Sequence, residues 1–379
     1  MTISSLNRRM TVWISYAAFS VVQLWLSVSF PESDVAEYRY YAAMALRPPI
    51  FHHWPKEYPA LSQLVFLLPR LLPFSYRLDF AAVALGALGI LLAHGMNRHG
   101  PWWGLKLLGY LSLGTIGLFS ERYDIFAALF GFLAIDQAVQ RRWSWAWIFS
   151  VVGFLLKLFP AVFWPVFLIQ EWRETQRLRW DRLALSLLTG LIMVGFQAAM
   201  ASHQAFTSYR YLLNRPVEIG SLAASLTALG GHFHLFYAFG SVDVRAQGLA
   251  HVIGDALTAV GVICWLSVFR AQWRGRLDLI DAALLTLGIL LLTTKVFSAQ
   301  YLIWLAPLLA LKRGNWFFIL AFILTSFGYP VGYAIPGMFS WVIYIFTARN
   351  LLLTAGFVLL AWSHERMSST AVFSRELSR

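Results

Sequence analysis

Cysteine and charged residues are the scarce residue types of this sequence. Its one cysteine, Cys264, lies inside an apolar run, so the chain can form neither an internal disulfide nor a cysteine metal site. Only 13% of the residues are charged, whereas soluble domains average about 25%. In contrast, 59% are hydrophobic and 16% are aromatic. This composition excludes an ordinary soluble domain and indicates an integral membrane protein.

Apolar runs close to the ~20 residues that a membrane-spanning helix needs recur along the chain, which predicts a helical membrane protein. Arg8 and Arg9 precede the first run, as in a signal peptide. No small-residue cleavage site follows, so residues 10–29 are predicted to be an uncleaved first span. No repeat period and no separate soluble domain are visible. The predicted fold class is an all-α integral membrane protein with a single domain, 1–379.

The net charge of +12 does not predict a nucleic-acid partner, because Lys and Arg of membrane proteins collect on cytoplasmic loops that face anionic lipid. Placing every basic cluster in the cytoplasm predicts that both termini are cytoplasmic. It also requires an even number of crossings between neighbouring clusters. The clusters are Arg8–Arg9, Arg98–Lys106, Arg141–Arg142, Arg173–Arg182, Arg270–Arg276, Lys312–Arg313 and Arg366–Arg379.

This parity predicts about twelve transmembrane helices, with extracytoplasmic segments at 30–77 and 202–249. Segment 58–73 is short and holds two prolines, so it is predicted to lie in the outer leaflet; the alternative is that it also spans. Segments 144–156, 159–170 and 299–311 are too short for a full span, which predicts a water-accessible cavity in the outer half of the bundle. The predicted spans are 10–29, 78–94, 102–119, 123–139, 144–156, 159–170, 182–201, 250–269, 278–294, 299–311, 315–333 and 338–362.

The first long polar interruption of the chain, Phe30–Pro59, is rich in carboxylates, Tyr, Trp and His. Loops of this length are usually functional or disordered, and the aromatic content argues against disorder. We therefore expect it to form half of an active site just above the membrane, with Tyr38, Tyr40 and Tyr41 packing against a sugar. Its carboxylates are Glu32, Asp34, Glu37 and Glu57.

The other predicted external turns also place charges beside apolar helix ends, at Glu121–Asp124, Leu156–Pro160, Asn214–Ser221 and Thr293–Tyr301. Charges there are costly unless paired or hydrated. Two alternatives to a functional role are open: Arg122 and Asp124 could form a local ion pair, and Lys157 could reach the lipid headgroups. Arg349 falls inside the last span and needs an internal partner or an anion.

Cations at one membrane face, opposite a loop of carboxylates, fit one chemistry. The cations hold a phosphate leaving group while a carboxylate deprotonates an incoming hydroxyl. Because the phosphate must reach the site through lipid, a polyprenyl-phosphate sugar is the natural donor.

The order of short motifs resembles glycosyltransferase family 87. The motifs are S-D-V-A-E-Y, E-Y-P-A-L, R-Y-D, K-L-F-P-A, R-P-V-E-I-G-S-L and K-V-F-S-A-Q-Y-L-I-W-L-A-P. The resemblance covers about residues 30–310 and implies a bacterial GT-C-fold enzyme that uses polyprenyl-phosphate sugars, typically mannose. It implies that Asp34 is the catalytic residue, that Lys295 and Gln300 face the donor phosphate, and that Arg215 and Glu218 close the other side. The chain departs from the family in E-Y-P-A-L and S-A-Q, where E-Y-P-P-L and S-P-Q are commoner.

The sequence thus predicts an inverting glycosyltransferase of the bacterial inner membrane, with an extracytoplasmic active site and a lipid-linked or glycan acceptor. A flippase or transporter, and a polymer ligase, are the alternatives. A divalent cation is possible near Glu32 and Asp34, although no metal ligands are assigned. Besides Asp34, the predicted donor- or substrate-binding residues are Glu32, Glu57, Tyr58, Arg122, Asp124, Lys157, Arg215, Glu218, Lys295, Gln300 and Tyr301.

Overall fold

The structure is a computed structural model that describes residues 3–29, 34–48, 50, 58–59, 61–201, 215–231, 233–246, 248–335 and 338–376. Five of its helices are long and apolar enough to cross a membrane: Leu6–Ser29, Tyr76–His99, Leu249–Trp273, Trp316–Ala334 and Val342–Trp362. Three shorter apolar helices accompany them, at Trp143–Leu156, Leu279–Thr293 and Ala299–Leu309. A multi-pass helical membrane protein is therefore confirmed by helix length and composition, whereas the number of crossings stays a prediction.

The described helices follow the predicted segments closely, and each of the twelve segments contains at least part of a helix. In chain order the helices are α1 Ile3–Ser29, α2 Asp34–Ala45, α3 Ser62–Leu67, α4 Tyr76–His99, α5 Pro101–Gly114, α6 Asp124–Val139, α7 Trp143–Leu156, α8 Phe163–Thr175, α9 Trp180–Ala201, α10 Leu222–Leu229, α11 Leu249–Trp273, α12 Leu279–Thr293, α13 Leu302–Leu309, α14 Trp316–Ser326, α15 Gly332–Ala334 and α16 Val342–Glu376.

Helix boundaries coincide with residues that start or stop helices. The side chain of Ser75 caps α4 by accepting from the backbone N–H of Leu78, and Asp278 caps α12 by accepting from that of Asp281 at 2.7 Å. Gly100 separates α4 from α5 with a φ of 84°, which favours glycine, and Pro101 then occupies the first position of α5. The chain therefore reverses here within a single residue.

The core is a continuous apolar cluster in which α4, α5, α6, α12 and α13 meet. Long-range hydrogen bonds fix these helices in place: the Tyr16 hydroxyl donates to the carbonyl of Leu85 at 2.8 Å, and the Trp103 indole N–H donates to that of Pro307 at 3.1 Å. Gly288 lies against the ring of Phe357, where any larger side chain would clash. By contrast, α11 is largely exposed along its apolar length, as expected of a helix that faces lipid.

Segment 58–73 does not form a spanning helix. Its helical part is α3 followed by a tighter turn at Leu68–Leu71, which together extend roughly 17 Å. The hydrocarbon core of a membrane is about 30 Å thick. The length therefore supports the prediction that this segment lies in one leaflet and does not cross.

A small β-sheet interrupts the helical fold, so the all-α expectation is wrong between residues 217 and 245. Strands β1 Val217–Glu218, β2 His234–Ala238 and β3 Ser241–Arg245 form an antiparallel sheet in the order β1-β3-β2. Phe239 and Gly240 connect β2 to β3 and both have positive φ values, as a two-residue hairpin turn requires. The sheet packs against α10, α11 and α16 through apolar residues that include Val217, Val244 and Phe346.

Buried ion pairs join the helix ends that carry the predicted cytoplasmic clusters. Asp136 is 2% exposed. Its Oδ2 lies 2.9 Å from Nε2 of His94, and its Oδ1 lies 2.9 Å from Nε2 of His99; both histidines are in α4. Arg182 Nη1 lies 2.7 Å from Glu171 Oε1 at the end of α8. These ends of the helices are remote from the polar turns that predict the active site.

Candidate active site

A cavity of about 1010 Å³ opens between the helix ends opposite these ion pairs. Its wall is formed by the start of α2, the α5–α6, α7–α8 and α12–α13 turns, the sheet and α11. The helices α7, α8 and α13, which the sequence predicts to be short, all end at it. Ten of the predicted site residues line this one cavity: Asp34, Tyr58, Arg122, Asp124, Lys157, Arg215, Glu218, Lys295, Gln300 and Tyr301. Glu32 and Glu57 lie outside the described residues.

Asp34 forms an ion pair with Arg122 across the cavity mouth. Asp34 is the first residue of α2, where the helix dipole favours an ionised carboxylate. Arg122 is in extended conformation just before α6, which turns its side chain away from Asp124 and towards α2. The alternative of a local Arg122–Asp124 ion pair is therefore wrong. The side chain of Asp34 is 29% exposed, so a ligand in the cavity can reach it.

Asp124 pairs with Lys157. The ammonium Nζ of Lys157 and the indole Nε1 of Trp304 each donate to Asp124 Oδ1 at 2.7 Å. The ammonium also lies 4.6 Å from the ring centroid of Tyr123 and 5.3 Å from those of Tyr301 and Trp304. Lys157 thus points into the protein, and the alternative that it reaches the lipid headgroups is wrong. Burial lowers the pKa of the Lys157 amine, while Asp124 opposes this shift.

Aromatic rings form much of the cavity wall. Tyr301 and Phe159 stack on Trp304 with ring centroids 4.0 and 4.2 Å apart. Of the three tyrosines expected to pack against a sugar, only Tyr38 lines the cavity. Tyr38 is 1% exposed and stacks on Phe66, so it supports the wall rather than offering a face to a ligand. Burial raises its pKa well above the usual range.

The far wall joins the sheet to the α12–α13 turn. The backbone N–H of Glu218 donates to the carbonyl of Lys295 at 3.0 Å, and the hydroxyl of Ser298 donates to Glu218 Oε1 at 2.6 Å. Arg215 donates to Ser241 Oγ at 3.2 Å, and that hydroxyl donates to Asp243 Oδ1 at 3.0 Å. The sheet therefore carries its own polar network beside the cavity.

Lys295 reaches from the α12–α13 turn to the lipid-facing helix α11. Its Nζ lies 2.6 Å from Asp255 Oδ1, and the Asp255 side chain is 71% exposed. The methylene stem of Lys295 runs over Gly254, where a Cβ atom would lie 3.0 Å from the lysine Cγ. This ion pair occupies a side of the cavity that opens between α11 and α12.

Arg349 lies beneath the cavity and does not line it. The residue is fully buried in α16, where its Nη2 donates to the carbonyl of Gly220 and to Asn350 Oδ1. Its guanidinium stacks on Phe297 and Phe346, 4.0 and 4.6 Å from their ring centroids. The internal partners of this charge are therefore a backbone carbonyl and an amide, and its Nη1 is buried without a hydrogen-bond partner among the described residues.

No protein-family model and no curated protein matches this sequence. Three chains of solved structures are similar. One of them is the crystal structure of ArnT from Cupriavidus metallidurans bound to undecaprenyl phosphate, with 14% sequence identity and a TM-score of 0.47. The match covers 94% of this chain and 78% of that one. This level of similarity does not establish a shared fold, and the resemblance to glycosyltransferase family 87 stays a prediction.

The cavity has no excess of positive charge. Its described wall holds the cations Arg122, Lys157, Arg215 and Lys295, and the carboxylates Asp34, Glu37, Asp124, Glu218 and Asp255. Three of these cations are already in ion pairs with carboxylates. A phosphate that binds one of these three must therefore compete with a carboxylate for it. Among the described residues, no group of three or more His, Cys, Asp or Glu residues could hold a metal ion.

Sequence reasoning missed several residues of the cavity and its surroundings. Asp255 lies within the apolar run that predicts a span, where a charge is itself a signal of function, and it could have been found in that way. Asp243 and Ser241 alternate with valines in S-V-D-V-R, and this strand pattern could have revealed them. Ser298 and Trp304 lie inside the last motif of the resemblance, but only the fold shows that they donate to Glu218 and Asp124.

Proposed function

We propose that this protein is a GT-C-type glycosyltransferase of the bacterial plasma membrane. It moves a hexose, with mannose as the leading candidate, from polyprenyl phosphate to a hydroxyl of a lipid-linked or glycan acceptor. The observation that carries the proposal is the Asp34–Arg122 ion pair at the mouth of a large cavity. It supports the proposal because a carboxylate, which can accept a proton, lies beside a guanidinium, which can bind a phosphate.

The proposed reaction is a single displacement with inversion. Asp34 takes the proton of the acceptor hydroxyl, whose oxygen then forms a bond to the anomeric carbon of the donor sugar. The bond between that carbon and the phosphate oxygen breaks, and polyprenyl phosphate leaves with the bonding electron pair. The protein contributes mainly positioning and charge stabilisation, because a phosphate monoester is already a fair leaving group.

Arg122 links donor binding to the release of the base. Its guanidinium forms an ion pair with Asp34, and the planar guanidinium of an arginine also matches the geometry of a phosphate. A donor phosphate that takes Arg122 leaves Asp34 without its cation. The carboxylate then becomes a stronger proton acceptor, at the moment when the sugar is in place.

Two further cations are candidates for the phosphate, and both are held by the protein. Lys295 lies between the cavity and the lipid-facing helix α11, where a lipid phosphate arriving from the membrane meets it first. Lys157 is more enclosed, with 17% of its side chain exposed, and is fixed by Asp124. Lys295 therefore suits the first contact with the donor, whereas Lys157 suits charge stabilisation deeper in the cavity, near Gln300 and Tyr301.

The direct test uses purified protein in lipid vesicles with radiolabelled polyprenyl-phosphate mannose and a mannoside acceptor. Transfer of label to the acceptor, abolished in a variant of Asp34, is expected of the proposed enzyme. Movement of labelled lipid across the vesicle membrane without transfer would instead identify a flippase. Transfer only from a pyrophosphate-linked glycan would identify a polymer ligase.

A further inference from the structure

The carboxylate of Glu218 lacks the cation partner that three other carboxylates of the cavity wall have among the described residues. Asp34, Asp124 and Asp255 each lie in an ion pair with a cation. Glu218 is 8% exposed and forms no ion pair with any described residue. Its Oε1 accepts from the Ser298 hydroxyl at 2.6 Å, while its Oε2 is buried and has no hydrogen-bond partner within the described ranges.

Such a group is costly unless something completes its hydrogen bonds. A buried charged acceptor that is left without a partner costs more than a neutral one. The hydrogen bond from Ser298 satisfies only one of the two carboxylate oxygens. An ionised carboxylate only accepts hydrogen bonds. The missing partner must therefore be a donor, such as a hydroxyl group.

We propose that Glu218 is the hydroxyl-binding residue of a sugar subsite, where Oε2 accepts from a hydroxyl of a hexose in the cavity. This inference rests on the proposed function and assigns Glu218 to the sugar rather than to the donor phosphate. A phosphate has no hydrogen to donate when fully ionised, and its negative charge is repelled by the carboxylate. The phosphate therefore binds to the cations of the cavity, and the sugar binds to Glu218.

The backbone places this subsite next to a candidate phosphate cation. Glu218 donates its backbone N–H to the carbonyl of Lys295, so the sugar-binding strand and the cation-bearing turn are joined at these two residues. Their side chains diverge, with Lys295 directed to Asp255 and Glu218 directed to Ser298. A sugar phosphate has the same arrangement, with an anion and hydroxyl groups on adjacent parts of one molecule.

The network behind Glu218 keeps its position fixed. The main-chain carbonyl of Glu218 accepts from both the N–H and the hydroxyl of Ser221 at the start of α10. Asp243 is its cross-strand partner, and like charges directly opposite each other are unfavourable on adjacent strands. On the strand side, Arg215 donates to Ser241, whose hydroxyl donates to Asp243. The carboxylate is therefore held at the wall and is not free to turn to solvent.

The test compares three ligands in the parent and in Glu218→Gln, with Glu174→Gln as a carboxylate-to-amide control at the remote end of α8. Affinities for polyprenyl-phosphate mannose and for bare polyprenyl phosphate are measured by titration in detergent micelles. The Michaelis constant for octyl α-mannoside as acceptor is measured in the transfer assay. We expect Glu218→Gln to weaken binding of the sugar-bearing ligand about tenfold or more, with bare polyprenyl phosphate bound within about twofold of the parent.

A loss confined to polyprenyl-phosphate mannose assigns the hydroxyl to the donor sugar, and a loss confined to octyl α-mannoside assigns it to the acceptor. Equal binding of every ligand by parent and variant, or an equal loss that includes bare polyprenyl phosphate, would overturn the inference. If Glu218→Gln does not fold, donors and octyl α-mannosides that each lack one sugar hydroxyl are titrated against the parent. One deoxy compound should bind about tenfold more weakly; uniform binding within both series overturns the inference. A parent that binds none of these lipids would instead refute the proposed function.

Discussion

The ammonium of Lys157 lies 2.7 Å from Asp124 Oδ1, and this ion pair joins the α7–α8 turn to the start of α6. The same oxygen accepts from Trp304 in α13, so three parts of the chain meet at one buried carboxylate. The pair therefore has a structural role that precedes any contact with a ligand.

We predict that Lys157→Met is strongly destabilising. Asp124 is 1% exposed, and removal of one partner from a buried pair leaves an uncompensated charge that costs about 3–5 kcal/mol. The midpoint of thermal unfolding in detergent should fall on the order of 5–10 °C. The double variant Lys157→Met, Asp124→Asn should recover most of this loss, because asparagine still accepts from Trp304. Equal destabilisation of the single and double variants would contradict the assignment.

Removing Lys295 is predicted to weaken donor binding, whereas removing its partner Asp255 is not. Lys295→Met removes a charge-assisted contact worth about 1.5–3 kcal/mol and should weaken binding of polyprenyl phosphate about 10- to 100-fold. Asp255→Asn removes the carboxylate that competes for the same ammonium, and should leave binding unchanged or tighter. The dissociation constants of both variants for bare polyprenyl phosphate check this. Weaker binding in both would show that the ion pair itself, and not the ammonium, is required.

The stability of the sheet should depend on pH through Asp243. Burial raises the pKa of this carboxyl from 3.8 to about 7; the Ser241 hydrogen bond lowers it, the charge of Glu218 raises it and Arg215 lowers it. The folded protein therefore binds this proton more tightly than the unfolded chain. Its contribution to stability is present below about pH 4 and is lost as the pH rises through about 7.

Accordingly, Asp243→Asn should raise the unfolding midpoint at pH 8, where the parent holds a buried charge, and should change it little at pH 5. Thermal unfolding at the two pH values measures this. Replacing the exposed Asp181 by Asn provides the control, since its effect should be the same at both. An Asp243→Asn variant that is destabilised more at pH 8 than at pH 5 would refute the account.

The orientation of the cavity can be tested by labelling single cysteines in a Cys264→Ala background. Ser75 caps α4, so the neighbouring Phe74, which is 75% exposed, is the better position on the cavity side. A cysteine replacing Phe74 should react with an impermeant thiol reagent from outside the cell. A cysteine replacing the exposed Arg177 should react only after the membrane is opened. The reverse pattern would place the cavity in the cytoplasm.

The helices and many cavity residues could be predicted because their signals are local. Apolar runs and their polar ends mark where helices stop, and the turns at Arg122, Lys157 and Lys295 therefore stand out in the sequence. Since helix ends at one face of a bundle are neighbours, charges on those turns meet in one cavity. Their chemical roles are not fixed by this placement and stay predictions.

Pairings between distant segments could not be predicted. Arg122 is two residues from Asp124 but pairs with Asp34, because the extended backbone at Arg122 sets the direction of its side chain.

The sheet was also missed. Its strands have two to five residues and lie in a segment that the positive-inside rule describes only as external. The Glu218–Asp243 pairing across β1 and β3 depends on this register.

The central claim is that Asp34 is the base, and Asp34→Asn tests it most directly. Asparagine has nearly the same shape and can still accept a hydrogen bond from Arg122, but it cannot take a proton. Because Arg122 loses its ionic partner, polyprenyl-phosphate mannose should bind the variant as tightly as the parent or more tightly. Sugar transfer should fall by about 10²–10⁴-fold, the usual contribution of a general base.

The decisive measurement is therefore the single-turnover rate of transfer by Asp34→Asn at saturating donor, alongside its donor dissociation constant. The account predicts a folded protein that binds donor normally and transfers the sugar at least about 100-fold more slowly than the parent. A transfer rate close to that of the parent, with donor binding intact, would contradict it.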